Sequence, residues 1–286
     1  MRPRNSGYLF IAPYIVLLAI AGIYPVIYVI DLALTSFTAH FAGVSNFVDS
    51  FNTGLLLPAI VNVATFLGIW LTALVVFVVG LSLVLHSLND RVSAAFRFVL
   101  YMPAALAGAA SVMLWLFMLQ PGQSPWSFVL SWLGYHTLGD SLTSGNLPIV
   151  LALIAFWSGA GSWIVVMYGA LATIPPEVLE NAQLDGTGAW RTAFSIKLPL
   201  IKKWIAYMVI GAFAAGSQLF VEPELITQAA GGRTNQIWSP NQLAYFLSFH
   251  LDNFNYAAAV SLDLLVVALI CAAVILLRTG LFETGH

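Results

Sequence analysis

Polar side chains within long apolar segments are the groups of this sequence best suited to bind a solute. Gln218 and Glu222 are four residues apart, a spacing that places them on one face of a helix, and Asp263 lies inside another apolar run. A carboxylate accepts hydrogen bonds from hydroxyl groups, and a tryptophan ring offers a flat apolar face. Together with Asn62 and Trp157 in two further apolar runs, these residues predict a pathway for a solute rich in hydroxyl groups.

Each of these side chains also has a purely structural interpretation. Glu222 and its neighbour Glu224 would face water at the end of a helix, and Asp263 would bond an adjacent helix. Asn62 and Trp157 would pack against neighbouring helices. A polar group in lipid is costly unless it meets a partner or a watery cavity, so both interpretations account for its presence.

The sequence contains no pattern typical of catalysis or metal binding. The phosphate-binding motif Gly-x-x-x-x-Gly-Lys-Ser/Thr does not occur, and Lys197, Lys202 and Lys203 follow no glycine-rich loop. No His/Cys/carboxylate group has metal-ligand spacing, and no Ser/His/Asp arrangement has a local signature. We therefore expect no catalytic residue, no metal, no cofactor and no ATP hydrolysis by this chain.

Composition indicates a membrane protein. Hydrophobic residues make up 60% of the chain and charged residues 8%, and the mean hydropathy is +0.91. These values lie outside those of soluble domains. The formal net charge of −2 and the absence of a basic patch argue against a nucleic-acid partner. A lone cysteine, Cys271, excludes an intrachain disulfide framework.

Six apolar runs are long enough to cross a bilayer core of ~30 Å at ~1.5 Å per helical residue. They predict an all-α polytopic membrane protein, a single transmembrane domain over residues 1–286. The predicted spans are residues 9–30, 58–88, 97–119, 148–174, 204–222 and 257–277. A cleaved signal peptide is the alternative for the first run, but its apolar residues continue beyond the Ala-Ile-Ala sequence that resembles a cleavage site.

The segments between these spans predict the topology. Residues 35–57, 120–147 and 228–255 are expected to be external loops, and the apolar part of the second would suit an interfacial helix. With a cytoplasmic N-terminus, only Arg233 among the basic residues falls outside, as the positive-inside tendency requires. Both termini are therefore predicted to be cytoplasmic. The basic residues on the cytoplasmic side are then Arg2, Arg4, Arg91, Arg97, Arg191, Lys197, Lys202, Lys203 and Arg278.

A charged island at residues 174–199 predicts a compact helix-turn-helix. The pair Pro175-Pro176 suits the first turn of a helix, where a missing N–H costs nothing, and Glu177 and Glu180 place negative charge near its positive end. The dipeptide after this helix, Asp-Gly, is typical of a turn. A simple connector between two membrane helices is the alternative interpretation of the island.

The second half of this island predicts another short helix. Trp190 and Phe194 are four residues apart and would share one of its faces, and Pro199 prevents it from continuing far.

This stretch resembles the EAA loop of the inner-membrane permease subunits of bacterial ABC importers. That loop reads Glu-Ala-Ala, then a glycine, then Ile-x-Leu-Pro, and Asn181 departs from it where the family usually has alanine. The matching residues are Glu180-Asn181-Ala182, Asp185-Gly186 and Ile196-Lys197-Leu198-Pro199. The preceding Ile-Pro-Pro-Glu and the later Gly231-Gly232 look most like the carbohydrate-uptake branch, which contains the maltose and glycerol-phosphate permeases.

The resemblance implies a permease subunit without enzymatic activity, in the bacterial inner membrane. Its implied partners are two ABC ATPase subunits, a second permease subunit, an external solute-binding protein and a carbohydrate or polyol. The second permease would be another copy or, as is usual in this branch, a different chain. Residues 175–203 would form the cytoplasmic coupling loop between spans four and five. Its expected ATPase-contacting residues are Glu177, Glu180, Asn181, Ala182, Asp185 and Gly186, while Trp190 and Phe194 are expected to pack back onto the permease.

Two other functions are possible from the residues alone. An ion-coupled secondary transporter would use intramembrane acids such as Asp263, but it should show inverted repeats and broken helices, which the sequence does not reveal. A membrane-embedded enzyme would need a cluster of His, Asp or Ser at membrane depth.

Overall fold

The structure, a computed structural model, describes residues 6–38, 40–106, 108–143, 145–231 and 237–279. All regular elements of these residues are helices. The first α-helices are α1 (Ser6–Leu18), α2 (Tyr24–Leu34), α3 (Ser45–Asn52), α4 (Leu56–Ala73), α5 (Val79–Ser87), α6 (Asp90–Tyr101), α7 (Ala109–Leu119), α8 (Ser127–Trp132) and α9 (Leu138–Ser141). They are followed by α10 (Leu147–Ala172), α11 (Pro176–Leu184), α12 (Ala189–Thr192), α13 (Leu198–Leu200), α14 (Lys202–Ser217), α15 (Val221–Ala229), α16 (Pro240–Phe249) and α17 (Phe254–Thr279).

Several of these helices continue into one another through π-helical turns. Such turns at Ala19–Ile23 and Leu74–Val78 join α1 to α2 and α4 to α5, and one at Ala193–Lys197 joins α12 to α13. A π-turn adds one residue to a helical turn without ending the helix. The α4–α5 pair is therefore one helix of 32 residues, Leu56–Ser87.

Within the described residues, four helices are long and apolar enough to cross a membrane. Two bent pairs would add one span each, so the number of candidate spans is four, or 6 if each bent pair crosses once. The four helices are Phe10–Leu34, Leu56–Ser87, Leu147–Ala172 and Phe254–Ile275. The bent pairs are Asp90–Leu106 with Ala109–Leu119, at 99°, and Ala189–Leu200 with Lys202–Ser217, at 66°.

The region predicted as a continuous span at residues 97–119 is broken. Helix α6 ends at Tyr101, a 3₁₀ turn follows at Met102–Leu106, and α7 starts after Gly108, whose φ is 69°. Pro103 lies in that 3₁₀ turn, where its ring and missing N–H disfavour continuation of an α-helix, and glycine tolerates positive φ. The expectation that the helices are unbroken was therefore wrong.

Three further predictions about helix boundaries need correction. Helix α14 ends at Ser217 and α15 begins at Val221, so Gln218 and Glu222 do not share a continuous helical face as predicted. The expected loop at residues 228–255 contains α16, whose first residue is a proline, and the loop at residues 35–57 contains α3. From composition alone, a proline suggests the interruption of a helix. At the first position of a helix, however, proline is favoured.

The described residues form two compact units, and the first comprises residues through Ala59 together with Pro240–Val267. Side-chain amides tie its helices to main-chain carbonyls. Asn46 Nδ2 donates to the carbonyls of Ala33 and Thr35, both at 2.8 Å. Asn255 Nδ2 donates to Leu32 O and to Thr35 Oγ1, both at 3.0 Å. These bonds satisfy the carbonyl groups at the end of α2 where the helix stops.

The second unit comprises Ile60–Ser239 together with the residues from Ala268 onward. Its core surrounds α10, and Met167 and Leu171 on that helix are fully buried. At Gly161, α10 approaches α6 so closely that a Cβ would collide with the carbonyl of Leu100. A glycine at this contact lets the two helix backbones approach each other, as small residues do between membrane helices.

Replacement of Gly161 tests this close approach. We expect Gly161→Leu to destabilise the protein by about 1–3 kcal/mol, because added carbons force the helices apart. The matched control is Gly169→Leu on the same helix, where nothing lies within 4 Å of the added Cβ. Thermal unfolding of both variants in detergent is the measurement. Equal melting temperatures for wild type and Gly161→Leu would contradict the close contact.

Candidate functional site

The charged island forms a hairpin, which we define as Pro176–Leu200. As predicted, its first helix starts at Pro176, and the chain turns at Gly186, whose φ of 73° favours glycine. The turn is closed on the carbonyl of Ala182. Thr187 donates to it from its backbone N–H at 3.0 Å and from its hydroxyl at 2.6 Å.

The second arm of the hairpin presents aromatic rings to the surroundings. Trp190 and Phe194 contact each other edge to face, with ring centroids 4.9 Å apart. Trp190 is 79% exposed and Phe194 is 50% exposed. The prediction that Trp190 packs back onto this chain is therefore wrong, because its neighbour in the structure is the ring one helical turn further on.

Most of the side chains predicted to contact an ATPase lie on the surface of the hairpin. Glu177, Glu180, Asn181 and Asp185 are exposed, as is Gly186 in the turn.

Ala182 differs from these residues, since it is 5% exposed. Thr187 bonds to its main-chain carbonyl, so Ala182 lies inside the hairpin and is not part of its outer surface. Sequence reasoning also missed Leu184, which is 84% exposed at the end of α11. Its position directly before the Asp-Gly turn, where polar residues are usual, is the sequence signal that could have pointed to it.

One of the predicted pathway residues, Trp157 on α10, belongs to an aromatic pair. Its ring meets Trp115 of α7 edge to face, with centroids 6.1 Å apart. The Nε1 of Trp115 and the hydroxyl of Ser111, one turn earlier on α7, are buried and have no hydrogen-bond partner among the residues that the structure describes. Unsatisfied buried donors are costly, so this cluster is suited to receive a polar group. Sequence analysis missed Ser111 and Trp115 because the break before α7 was not foreseen.

The other predicted residues of the second unit lie in different surroundings. Asn62 is half-buried and donates to the carbonyl of Trp238 at 3.1 Å, which supports its structural interpretation. Gln218 is exposed immediately after α14, and Glu222 is half-buried in the first turn of α15. Among the residues that the structure describes, no hydrogen bond or ring contact is seen between two of these pathway candidates.

Asp263, in the first unit, is bonded to a neighbouring helix. The hydroxyl of Ser50, a fully buried residue on α3, donates to Asp263 Oδ2 at 2.7 Å. A hydrogen bond to a carboxylate is stronger than one between neutral groups. The contact supports the structural interpretation of Asp263, and its part in a solute pathway stays a prediction.

Removal of the Ser50 hydroxyl separates these two roles of Asp263. We expect Ser50→Ala to destabilise the protein by about 1–3 kcal/mol, because a half-buried carboxylate loses its donor. Ser261→Ala is the control, since that exposed hydroxyl bonds only within its own helix, to the carbonyl of Ala257. Thermal unfolding is the measurement. An unchanged melting temperature combined with lost solute uptake would instead assign Asp263 to the pathway.

Comparison with known proteins gives a family match and several relatives. Residues 77–282 match the family model described as "Binding-protein-dependent transport system inner membrane component". The chain is 26% identical to the lactose transport system permease protein LacF of Rhizobium radiobacter, over 90% of this chain and 88% of that protein. It is 27% identical to the diacetylchitobiose uptake system permease protein NgcF of Streptomyces coelicolor, over 86% of this chain and 73% of that protein. It is 29% identical to the sn-glycerol-3-phosphate transport system permease protein UgpA of Escherichia coli O157:H7, over 70% of this chain and 69% of that protein.

Two solved structures of similar fold are chains of bacterial alginate transporters. A chain of a bacterial ABC transporter involved in the import of the acidic polysaccharide alginate superposes with a TM-score of 0.80 at 20% identity, covering 97% of this chain and 96% of that one. A chain from a bacterial alginate ABC transporter in complex with an alginate pentasaccharide-bound periplasmic protein superposes with a TM-score of 0.80 at 22% identity. The match covers 94% of this chain and 91% of that one. At such low identity this likeness establishes the fold.

Proposed function

This chain belongs to the family of binding-protein-dependent transport system inner membrane components, and we propose that it is a permease subunit that carries a sugar or related polyol through the membrane. The sequence resemblance to inner-membrane permeases is confirmed by that match. As a member of the family, the chain is a transport component of the inner membrane. Its relatives are named as permeases for lactose, diacetylchitobiose and glycerol phosphate, which supports a carbohydrate or polyol as the solute.

The observation that carries the proposal is the exposed hairpin. It lies within the family-matched residues, and its turn presents acids and an apolar side chain on a short, rigid element. Such a surface suits insertion into a cleft of a partner protein, with Glu180 available to pair with a basic group there. The partner would be an ATPase subunit, present in two copies. The full assembly would add a second permease, expected to be a different chain, and an external solute-binding protein.

In the proposed topology the hairpin lies in the cytoplasm. Six spans, with each bent pair counted once, put both termini on that side. The basic residues flanking the spans favour the same orientation. Of these, Arg2 and Arg4 lie outside the described residues, as do Gly232 and Arg233 in the segment assigned to the external side.

The mechanism we propose is alternating access driven by the partner. Closure of the ATPase dimer on ATP would move the hairpin, and the helices that pack beside it would turn the pathway from one side of the membrane to the other. Helix α10 leads into the hairpin and α14 leaves it. Motion of the hairpin therefore acts on both helices directly through the main chain.

For the solute pathway we propose the aromatic cluster of Trp157 and Trp115. Two indole rings and the unpartnered groups on α7 combine flat apolar faces with hydrogen-bond donors, as saccharide recognition requires. Gln218 and Glu222 remain pathway candidates on the strength of their chemistry. For Asn62 and Asp263 the observed hydrogen bonds favour helix packing.

Ion-coupled secondary transport is not favoured. Broken helices are one feature expected of such a transporter, and the two bends of 99° and 66° would agree with it. The matched family, however, is that of binding-protein-dependent transport systems.

Two hairpin variants test the coupling function. We expect Gly186→Trp and Glu180→Lys to lose solute-stimulated ATPase activity by about tenfold or more. Glu180→Lys reverses the charge at the proposed ionic contact, whose loss costs about 2–5 kcal/mol. Gly186→Trp places a bulky side chain at the positive φ of the turn that would enter the cleft. The measurement is the ATPase rate of the co-purified complex in lipid. Gly134→Trp is the matched control, since that glycine also has positive φ and open space around it. If both variants still bind the ATPase and hydrolyse ATP at the wild-type rate, the hairpin merely connects two membrane helices and does not couple them to the ATPase.

Trp157 variants test the pathway. We expect Trp157→Ala to raise the solute concentration for half-maximal transport by about fivefold to tenfold, the equivalent of one lost aromatic contact of about 1–1.5 kcal/mol. Trp157→Phe should recover most of this loss. Trp132→Ala, at a residue that is 84% exposed, is the control. A change in ATPase coupling without any change in concentration dependence would contradict solute contact.

A further inference from the structure

A cavity lies between the hairpin and the end of the α4–α5 helix. Its volume of about 570 Å³ falls in the range of about 300–1,000 Å³ typical of small-molecule sites. Leu83 and Val84 line it from the helix, and Trp190 and Phe194 line it from the hairpin. Its polar lining residues are His86, Ser87, Gln183, Thr187, Thr192 and Lys197.

The charge in this cavity is positive. Lys197 Nζ lies 3.0 Å from His86 Nδ1, and the imidazole also hydrogen-bonds to the backbone of Leu171. No aspartate or glutamate is among the described residues that line the cavity, and Asp90, whose charge acts on His86, does not line it. A half-buried ammonium next to an imidazole is stabilised by an anion. The cavity is therefore suited to a negatively charged group.

The same cavity continues into apolar space. A groove of about 600 Å³ between α4–α5 and α10 shares Gly80 and Val84 with it. Another space of about 530 Å³, lined also by Lys202, shares Gly80 and Phe194 with it. Apart from the neighbouring main chain of its own helix, no atom lies within 4 Å of the position that a Cβ of Gly80 would take, so the region beside this glycine is open. We call the three connected spaces the slot.

We propose that the slot binds an anionic phospholipid, with its phosphate at Lys197 and His86 and an acyl chain along the groove beside Gly80. This inference rests on the proposed function, since it requires the hairpin to lie at the membrane surface. The chemistry matches at both ends of the molecule. Basic pockets between membrane helices on the cytoplasmic side are suited to acidic head groups, and the groove offers only apolar walls to a chain.

Other occupants fit the slot less well. Free phosphate would neutralise the ammonium but leave the apolar groove unfilled. A neutral apolar molecule would fill the groove and leave Lys197 without a counter-charge. A phospholipid satisfies both ends, and the surrounding membrane supplies it at high local concentration.

A lipid in the slot would strengthen the mechanical connection between the hairpin and the membrane helices. Its head group would contact Lys197 of the hairpin, whereas its chain would lie on the α4–α5 helix and on α10. These elements would then move together when an ATPase pulls the hairpin. We therefore expect solute-stimulated ATPase activity to rise with the anionic lipid content of the membrane.

The test uses the assembled importer, this chain with its partner permease and ATPase subunits, in phosphatidylcholine nanodiscs containing increasing phosphatidylglycerol. Lipid that remains bound after mild delipidation is identified by native mass spectrometry. We expect retention of phosphatidylglycerol over phosphatidylcholine, weakened about fivefold by Lys197→Gln, the equivalent of one lost basic contact. Lys197→Arg should retain the lipid. Gly80→Leu, which fills the groove without changing charge, should lose it.

Arg191→Gln is the matched control, because it removes one charge from an exposed residue of the same hairpin that does not line the slot. Equal losses in Lys197→Gln and Arg191→Gln would overturn the proposal. So would equal retention of both lipids or displacement of the lipid by excess inorganic phosphate. Retention by the two permease subunits prepared without the ATPase, but not by the assembled importer, would also overturn it, because the cavity would then be a protein-docking surface. Solute-stimulated activity of the wild-type complex is measured in the same preparation, so failure of the importer function and failure of lipid binding are distinct results.

Discussion

The lack of water in the bilayer core is the constraint on which the rest of this structure depends. Every main-chain group at that depth must be satisfied within the protein, which accounts for the wholly helical architecture of the described residues. Where a helix ends, side chains donate hydrogen bonds to the main-chain carbonyls that have no helical partner, as Asn46 and Asn255 do at the end of α2. Polar residues in apolar segments therefore serve first of all as hydrogen-bond partners within the protein. A residue can contact a solute when it has a hydrogen-bonding group that the protein itself does not satisfy.

That distinction separates the pathway candidates. Asn62 and Asp263 have partners that account for their presence, a carbonyl in one case and the Ser50 hydroxyl in the other. Ser111 and Trp115 have buried polar atoms for which the described part of the chain offers no hydrogen-bond partner. The ring of Trp115 packs edge to face on Trp157, and this pair on α7 and α10 is therefore where we propose solute contact.

The sequence predicted features whose causes are local. The hairpin could be read from the proline pair at its start and the Asp-Gly turn, because both fix backbone conformation within a few residues. The break before α7 could not, since apolar composition continues across it and a proline in a membrane helix is often tolerated. The partner of Asp263 was likewise beyond prediction, because Ser50 is far away in the chain and its segment looked like a loop. Exposure of Trp190 depends on which surfaces meet in three dimensions, and spacing alone cannot give it.

The central claim is that the tip of the hairpin inserts into an ATPase subunit. A photo-reactive amino acid at Leu184, a residue that is 84% exposed beside the turn, tests it most directly in membranes containing the whole importer. The account predicts a single crosslinked product between this chain and the ATPase, sensitive to ATP, and none when the same group replaces Trp132. Crosslinking of Leu184 to lipid or to an external solute-binding protein would contradict both the cytoplasmic placement of the hairpin and its role in coupling.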